Sequence, residues 1–192
     1  MFTALLDTCV LWPSLQRDVL LSLAAEGTYR PVCSGVILAE LEYEQAAKLV
    51  RSGADPTAAQ SRAAQPVAQM RRAFDDAEIT GWEGLDGTYG LPDPDDEHVV
   101  AAAVVAGAGA IVTLNIKDFP AALLPFGLET LRPADFAANT VSLDPPRALP
   151  AIRTIASRTG THGPARSVTE ILDLLVHRYG FDDAVEQLRT IT

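Results

Sequence analysis

The stretch LPDPDDEHVV, residues 91–100, sets Asp93, Asp95, Asp96 and Glu97 at the head of an apolar run from Val99 to Ala106. One or two acids in the first turn of a helix are favoured by the helix dipole. Four carboxylates in five residues repel one another beyond what a dipole offsets, and a bound cation is the simplest relief. Three more acids stand where solvation alone does not account for them. Asp7 closes the apolar run FTALL, a costly place for a carboxylate unless it has a partner, a metal or a helix to cap. Glu40, in SGVILAELEYEQA, has Val36, Ile37, Tyr43 and Glu44 three and four positions away, so it borders an apolar helix face. Glu42 is less committed, and Glu44 is spaced to pair with Lys48 at the surface. Asp118 lies in TLNIKDF, three residues after Asn115, with Thr113 just beyond the apolar run AIV. Oxygen-only donors of this kind point to Mg²⁺ or Mn²⁺.

The elements that would position these groups alternate in type. Short apolar runs over residues 2–6, 29–33, 110–114 and 128–131 read as strands. Helical patterns run from Pro13 to Ala25 with Gly27 as stop, from Gly35 to Arg51 with Ser34 as N-cap, from Pro56 to about Asp76, and over 95–107. Residues 80–94 form a loop rich in Gly, Asp and Pro. From Pro133 onward only helices are predicted, over 133–139, 145–158, 167–178 and 181–190, with TGTHGPAR at 159–166 as a turn. Alternating strands and helices predict a parallel sheet covered by helices. In such sheets functional groups gather at the carboxyl ends of the strands. Asp7, Thr113, Asn115 and Asp118 are all placed there, and Asp96 opens a helix at the same edge.

Composition bounds the rest. The chain has 192 residues, is 48% hydrophobic and carries a net charge of −10. That charge argues against coating nucleic acid by bulk attraction. It is unevenly spread: residues 75–97 hold nine acids and no Lys or Arg, while 45–74 hold Lys48, Arg51, Arg62, Arg71 and Arg72 against Asp55 alone. Arg147, Arg153, Arg158 and Arg166 add basic charge further on. Such basic flanks around an acidic centre are solvated helix faces or, as with Arg71 and Arg72, holds for the phosphates of a polyanion. No apolar run reaches the length of a membrane span, and the start, MFTALLDTCV, lacks the basic region of a signal peptide. Cys9 and Cys33 are not spaced as a zinc site or a disulfide framework, so a cytoplasmic protein with reduced thiols is expected.

Four stretches together resemble the PIN domain family, in particular VapC-like toxins: LLDTCVL with Asp7, ILAELE with Glu40, DPDDEHVVAAAVV with Asp96, and IVTLNIKDFP with Asn115 and Asp118. The resemblance implies a three-layer α/β/α sandwich with a central, mostly parallel sheet over residues 1–139, and leaves 140–192 as a helical extension. It also implies an endoribonuclease that hydrolyses RNA with carboxylate-bound Mg²⁺ or Mn²⁺, leaving 5′-phosphate and 3′-hydroxyl ends. Asp7, Glu40, Asp96 and Asp118 would form its acidic cluster, with Asp7, Asp96 and Asp118 on the metal. Thr8, Thr113 and Asn115 would support it. Asp93 and Glu97 compete with Asp96 for the third acidic position. A homodimer and a cognate antitoxin that reaches into the site are further implications.

The chain departs from the family's pattern at Cys9, where Ser or Asn is frequent, which bears on the hydrogen bonds behind the site. In the extension, Val168, Ile171, Leu172, Leu175, Val176 and Tyr179 form one apolar stripe. It is read as packing on the core or another subunit, with antitoxin or RNA contact as alternatives. His162 and His177 read as surface or packing residues. Two other functions compete with the nuclease. A PIN-like fold that binds RNA or protein without cutting would have no need of four acids. A phosphatase with Asp7 as nucleophile would need a second acid where Cys9 stands.

Overall fold

The computed structural model describes residues 1–160 and 163–191; His162 lies outside them. The described chain divides into two compact units. One holds Thr3–Trp12 and Pro31–Thr130 and contains the sheet. The other holds Met1–Phe2, Pro13–Arg30 and the chain from Leu131 on, and is helical.

The sheet has five parallel strands: β1 (Thr3–Leu6), β2 (Arg30–Ser34), β3 (Glu78–Ile79), β4 (Ala110–Val112) and β5 (Glu129–Leu131). Their order is β3-β2-β1-β4-β5. β1 is therefore central, and its Leu6 lies level with Val112 of β4. Because the chain moves to one side of β1 for β2 and to the other for β4, the order reverses between β1 and β4. At such a switch point the loops leaving the two strands part and open a crevice at their carboxyl ends. Ala4, Leu5 and Leu6 are buried, which is why β1 reads as a continuous apolar run and not an alternating one. Burying each leucine contributes about 1.5–3 kcal/mol.

Helices of this unit are α1 (Thr8–Leu11), α3 (Gly35–Arg51), α4 (Pro56–Ala73) and α5 (Glu97–Val105). Ser34 caps α3 by accepting from the Ile37 N–H, as its position before an apolar-periodic run predicts. α3 packs along α4 and also meets α1, and α5 packs on β1 and β4. Burial of Val99 to Ala103 explains the all-apolar stretch of α5.

In the helical unit, α2 (Ser14–Ala25) packs with α6 (Pro133–Leu143), α7 (Pro145–Arg158) and α8 (Val168–Tyr179), and α9 (Asp182–Arg189) completes the group. Gly27, at φ 71°, stops α2 as expected. The apolar stripe of α8 buries Ile171, Leu172 and Leu175 inside this unit. The C-terminal helices thus associate with a helix from near the start of the chain, a grouping that no linear boundary captures.

Several local features differ from expectation, among them the helix expected over 133–139, which runs on to Leu143. α1 and β3 were not anticipated: four and two residues respectively are too short for periodicity to register. The helix expected over 95–107 begins at Glu97, after a 3₁₀ turn at Pro94–Asp96. Pro94 keeps the residue before it, Asp93, out of the helical region, and Asp93 is extended at φ −108° and ψ 112°.

Candidate active site

Asp7 follows β1 directly, and its backbone N–H continues the pairing with β4 by donating to the Val112 carbonyl at 3.1 Å. Its side chain caps α1 through a 2.6 Å hydrogen bond from the Thr8 N–H to Oδ1. The other oxygen, Oδ2, accepts from the Thr113 hydroxyl at 2.6 Å and from the Cys9 thiol at 3.1 Å. Behind these donors stand two backbone amides. The Leu114 N–H donates to Cys9 Sγ at 3.2 Å, and the Asn115 N–H donates to Thr113 Oγ1 at 3.0 Å. Asp7 is only 6% exposed, so these bonds hold one rotamer of an almost buried carboxylate. The helix cap and the functional position proposed from sequence are therefore the same residue in the same conformation.

Cys9 is the group that the sequence reading undervalued. Burial, and then the neighbouring Asp7 charge, push its thiol up to about 12. It is therefore a neutral donor to Asp7 and no nucleophile at neutral pH. A thiol here fills the hydrogen-bonding role that a hydroxyl or amide would fill.

Glu40 is delivered by α3. Thr8 Oγ1 donates to its Oε2 at 2.6 Å, and His98 Nε2 lies 3.7 Å from its Oε1. His98 was not singled out from sequence, although it stands two residues after Asp96. It is 8% exposed, tilts against the Trp82 ring at 5.9 Å between centroids, and its Nδ1 has no hydrogen-bond partner.

Asp96 precedes α5 with no side-chain capping bond. Burial, then the charges of Asp7, Asp93, Asp118 and Glu40, raise its carboxyl to about 6. Four carboxylates, from Asp96's own segment and three others, thus act on Asp96. Asp118 ends the 3₁₀ turn Ile116–Asp118, with Lys117 Nζ 3.9 Å from its Oδ1. Asn115 starts that turn and Thr113 is fully buried. Asp93 also accepts from the Asp95 N–H at 3.0 Å.

Glu97 faces elsewhere. Its two oxygens accept from the Tyr89 and Leu91 N–H groups, each at 2.8 Å. Burial raises its carboxyl, but backbone donors of residues 88–91 outweigh that and leave it lowered. Its charge therefore fastens the preceding loop. Arg71 is engaged as well: its Nε and Nη2 donate to Glu78 at 2.7 and 3.2 Å, tying α4 to β3. Arg72 is exposed on the same turn. Lys48 lies 4.5 Å over the Trp12 ring. His177 is exposed in the last turn of α8.

The donor set around Asp96 is all oxygen, which suits a hard divalent cation. A cation would also offset the repulsion that raises Asp96. Asp7, Asp96 and Asp118 are the residues that would hold it. Among the described residues, no three His, Cys, Asp or Glu side chains stand grouped tightly enough to hold an ion as they are.

Comparison with known proteins agrees with this architecture. Residues 3–117 match the PIN domain family, and the chain belongs to it. Over 49 residues it is 47% identical to a Mycobacterium tuberculosis protein named "Putative ribonuclease VapC50"; the match covers 25% of this chain and 29% of that protein. No solved structure matches significantly. Among the described residues, no helix is long and apolar enough to cross a membrane.

Proposed function

We propose that the chain is an endoribonuclease of the VapC type, dependent on Mg²⁺ or Mn²⁺, and the toxin of a toxin–antitoxin pair. The reading rests on one observation above all: Asp7, Glu40, Asp93 and Asp118 bear on Asp96 at the carboxyl edge of the sheet. Carboxylates crowded in this way favour a cation over an empty site.

When bound, the cation supplies an acidified water and neutralises charge on the phosphate. The chain's own residues set the geometry. Asp7 is held at both oxygens, so little reorganisation remains when a ligand arrives. Thr8 links two acids, giving its N–H to Asp7 and its hydroxyl to Glu40. His98 flanks Glu40 on the buried side. Among the described residues the site offers no serine or histidine placed as a nucleophile, and in this reading water attacks the phosphorus. RNA is the substrate of this proposal, an antitoxin its protein partner, a homodimer its assembly and the cytoplasm its location. The two free thiols accord with that compartment.

The test is incubation of total RNA with the purified protein and Mn²⁺ or Mg²⁺, with EDTA, and with Asp7→Asn. Discrete fragments that require metal and Asp7, with activity lowered at least about 100-fold in the variant, are expected. An Asp7→Asn variant as active as the parent would sink the assignment. No cleavage and no metal uptake by calorimetry would put the non-catalytic binding reading first.

A further inference from the structure

The helical unit contains a second concave site that shares no residue with the carboxylate cluster. It has a volume of about 250 Å³ and lies between α2, α7 and α8. Arg158, Arg166 and Arg178 line it, together with the hydroxyls of Ser14 and Thr159 and the carboxylate of Asp18. In a chain of net charge −10, three guanidinium groups around one cavity are a local reversal of sign.

Three guanidinium groups outnumber the one carboxylate of the lining. Asp18 lies 3.9 Å from Arg17, which is not part of the lining, and also feels Arg158. Arg158 is fixed by Nε donating to the Thr154 carbonyl and Nη2 donating to Ser22 Oγ, both at 3.2 Å. Arg166 lies near Glu170, whose carboxylate is already bound by Ser167. The Arg178 side chain makes no hydrogen bond or ion pair among the described residues. The first turn of α2 adds a smaller contribution, because Pro13 supplies no side-chain cap to its N–H groups.

The remaining wall is apolar. Ile155 and Ile171 are buried there, with Leu15 and Leu174 half-buried beside them. A bare phosphate would leave most of that volume empty. A phosphate joined to an organic group would place its oxygens on the arginines and its carbon skeleton on the isoleucines. A peptide carboxylate brings one charge, whereas a phosphate monoester brings about −1.5 to −2. Arginine's fork also matches phosphate oxygens in pairs.

We propose that this cavity binds a phosphate monoester, from a free nucleotide or from the phosphorylated end of a nucleic acid strand. Binding needs neither the carboxylate cluster nor a metal, so it is measured in EDTA and stands apart from the nuclease reading. Calorimetry of the full chain with adenosine monophosphate, with inorganic phosphate and with a short acidic peptide is the experiment. The nucleotide should bind more tightly than phosphate. Arg166→Ala and Arg178→Ala should each weaken it about tenfold, and Arg166→Lys less. Circular dichroism would show that these surface variants fold. Competition by a 5′-phosphorylated oligonucleotide, but not its 5′-hydroxyl form, would assign the ligand to a strand end. Competition by neither would assign it to a free nucleotide. Nucleotide binding that survives both alanine variants would overturn the proposal. So would affinity no better than phosphate, preference for the acidic peptide, or no binding at all.

Discussion

The starts of α5 and α8 are both helix N-termini furnished with acids, yet the acids are treated in opposite ways. Before α8, Ser167 Oγ accepts from the Glu170 N–H while Glu170 Oε2 accepts from the Ser167 N–H at 2.7 Å and its hydroxyl at 2.8 Å. These bonds lower the Glu170 carboxyl, and the acid serves the helix. Before α5, Asp96 caps nothing and is raised to about 6 by burial and four neighbouring carboxylates. The next residue, Glu97, is lowered by backbone donors. At these two helix starts, the acid with hydrogen-bond donors of its own serves the fold, and the acid set against other carboxylates without a capping bond is left open to a ligand. Adjacent residues of one helix start fall on opposite sides of that line.

That contrast predicts which substitutions harm folding. The largest loss of stability should come from Glu97→Ala, which strands the Tyr89 and Leu91 N–H groups: about 2–4 kcal/mol by urea denaturation. A loss no greater than that of a surface cap would break the distinction. Ser167→Ala should cost about 1 kcal/mol and leave RNA cleavage unchanged; a change in cleavage would show that α8 serves more than structure. Cys9→Ala removes one donor to Asp7 and should lower cleavage about fivefold, the equivalent of about 1 kcal/mol. Cys9→Ser should restore it, and equal activity of the two variants would show that Asp7 needs no third donor.

The smallest effect should run the other way. The folded chain holds the Asp96 proton up to about pH 6, against an ordinary value of 3.8. Between those values the unfolded chain binds fewer protons, so the metal-free protein loses stability as pH rises through this window. Asp96→Asn should therefore melt a few degrees higher than the parent in EDTA at pH 7, with the gain fading toward pH 4. A variant that melts lower at pH 7 would place Asp96 among the structural acids.

Much of this arrangement was legible in the chain. Gly35–Arg51 and Pro145–Arg158 are helices within a residue or so of where periodicity and proline placed them. Asp7 and Thr113 were placed at the carboxyl edge from the apolar runs before them. The two-residue strand β3 and the four-residue helix α1 were not legible, because their hydrogen bonds come from β2 and from Asp7. Cys9 is legible in the sequence only as a departure from the family pattern, and His98 not at all, because neither has a periodic signature. Their relevance lies in what each touches, Asp7 and Glu40, across separations of the chain or the turn of a helix.

By itself the sequence determined the parallel α/β class, since continuous apolar runs alternating with amphipathic segments can be buried in few other ways. It also determined the supply of acids and their position after strands or at helix starts. Only the tertiary structure decided between neighbours. Asp96 and Glu97 have nearly the same chemistry and adjacent positions, but Asp96 ends a 3₁₀ turn and Glu97 opens α5, so their side chains leave the backbone in different directions. One turns toward Asp7, Glu40 and Asp118, and the other toward the amides of residues 88–91. Which carboxylate meets donors and which meets other carboxylates is set by packing between distant segments, and spacing along the chain carries no record of it.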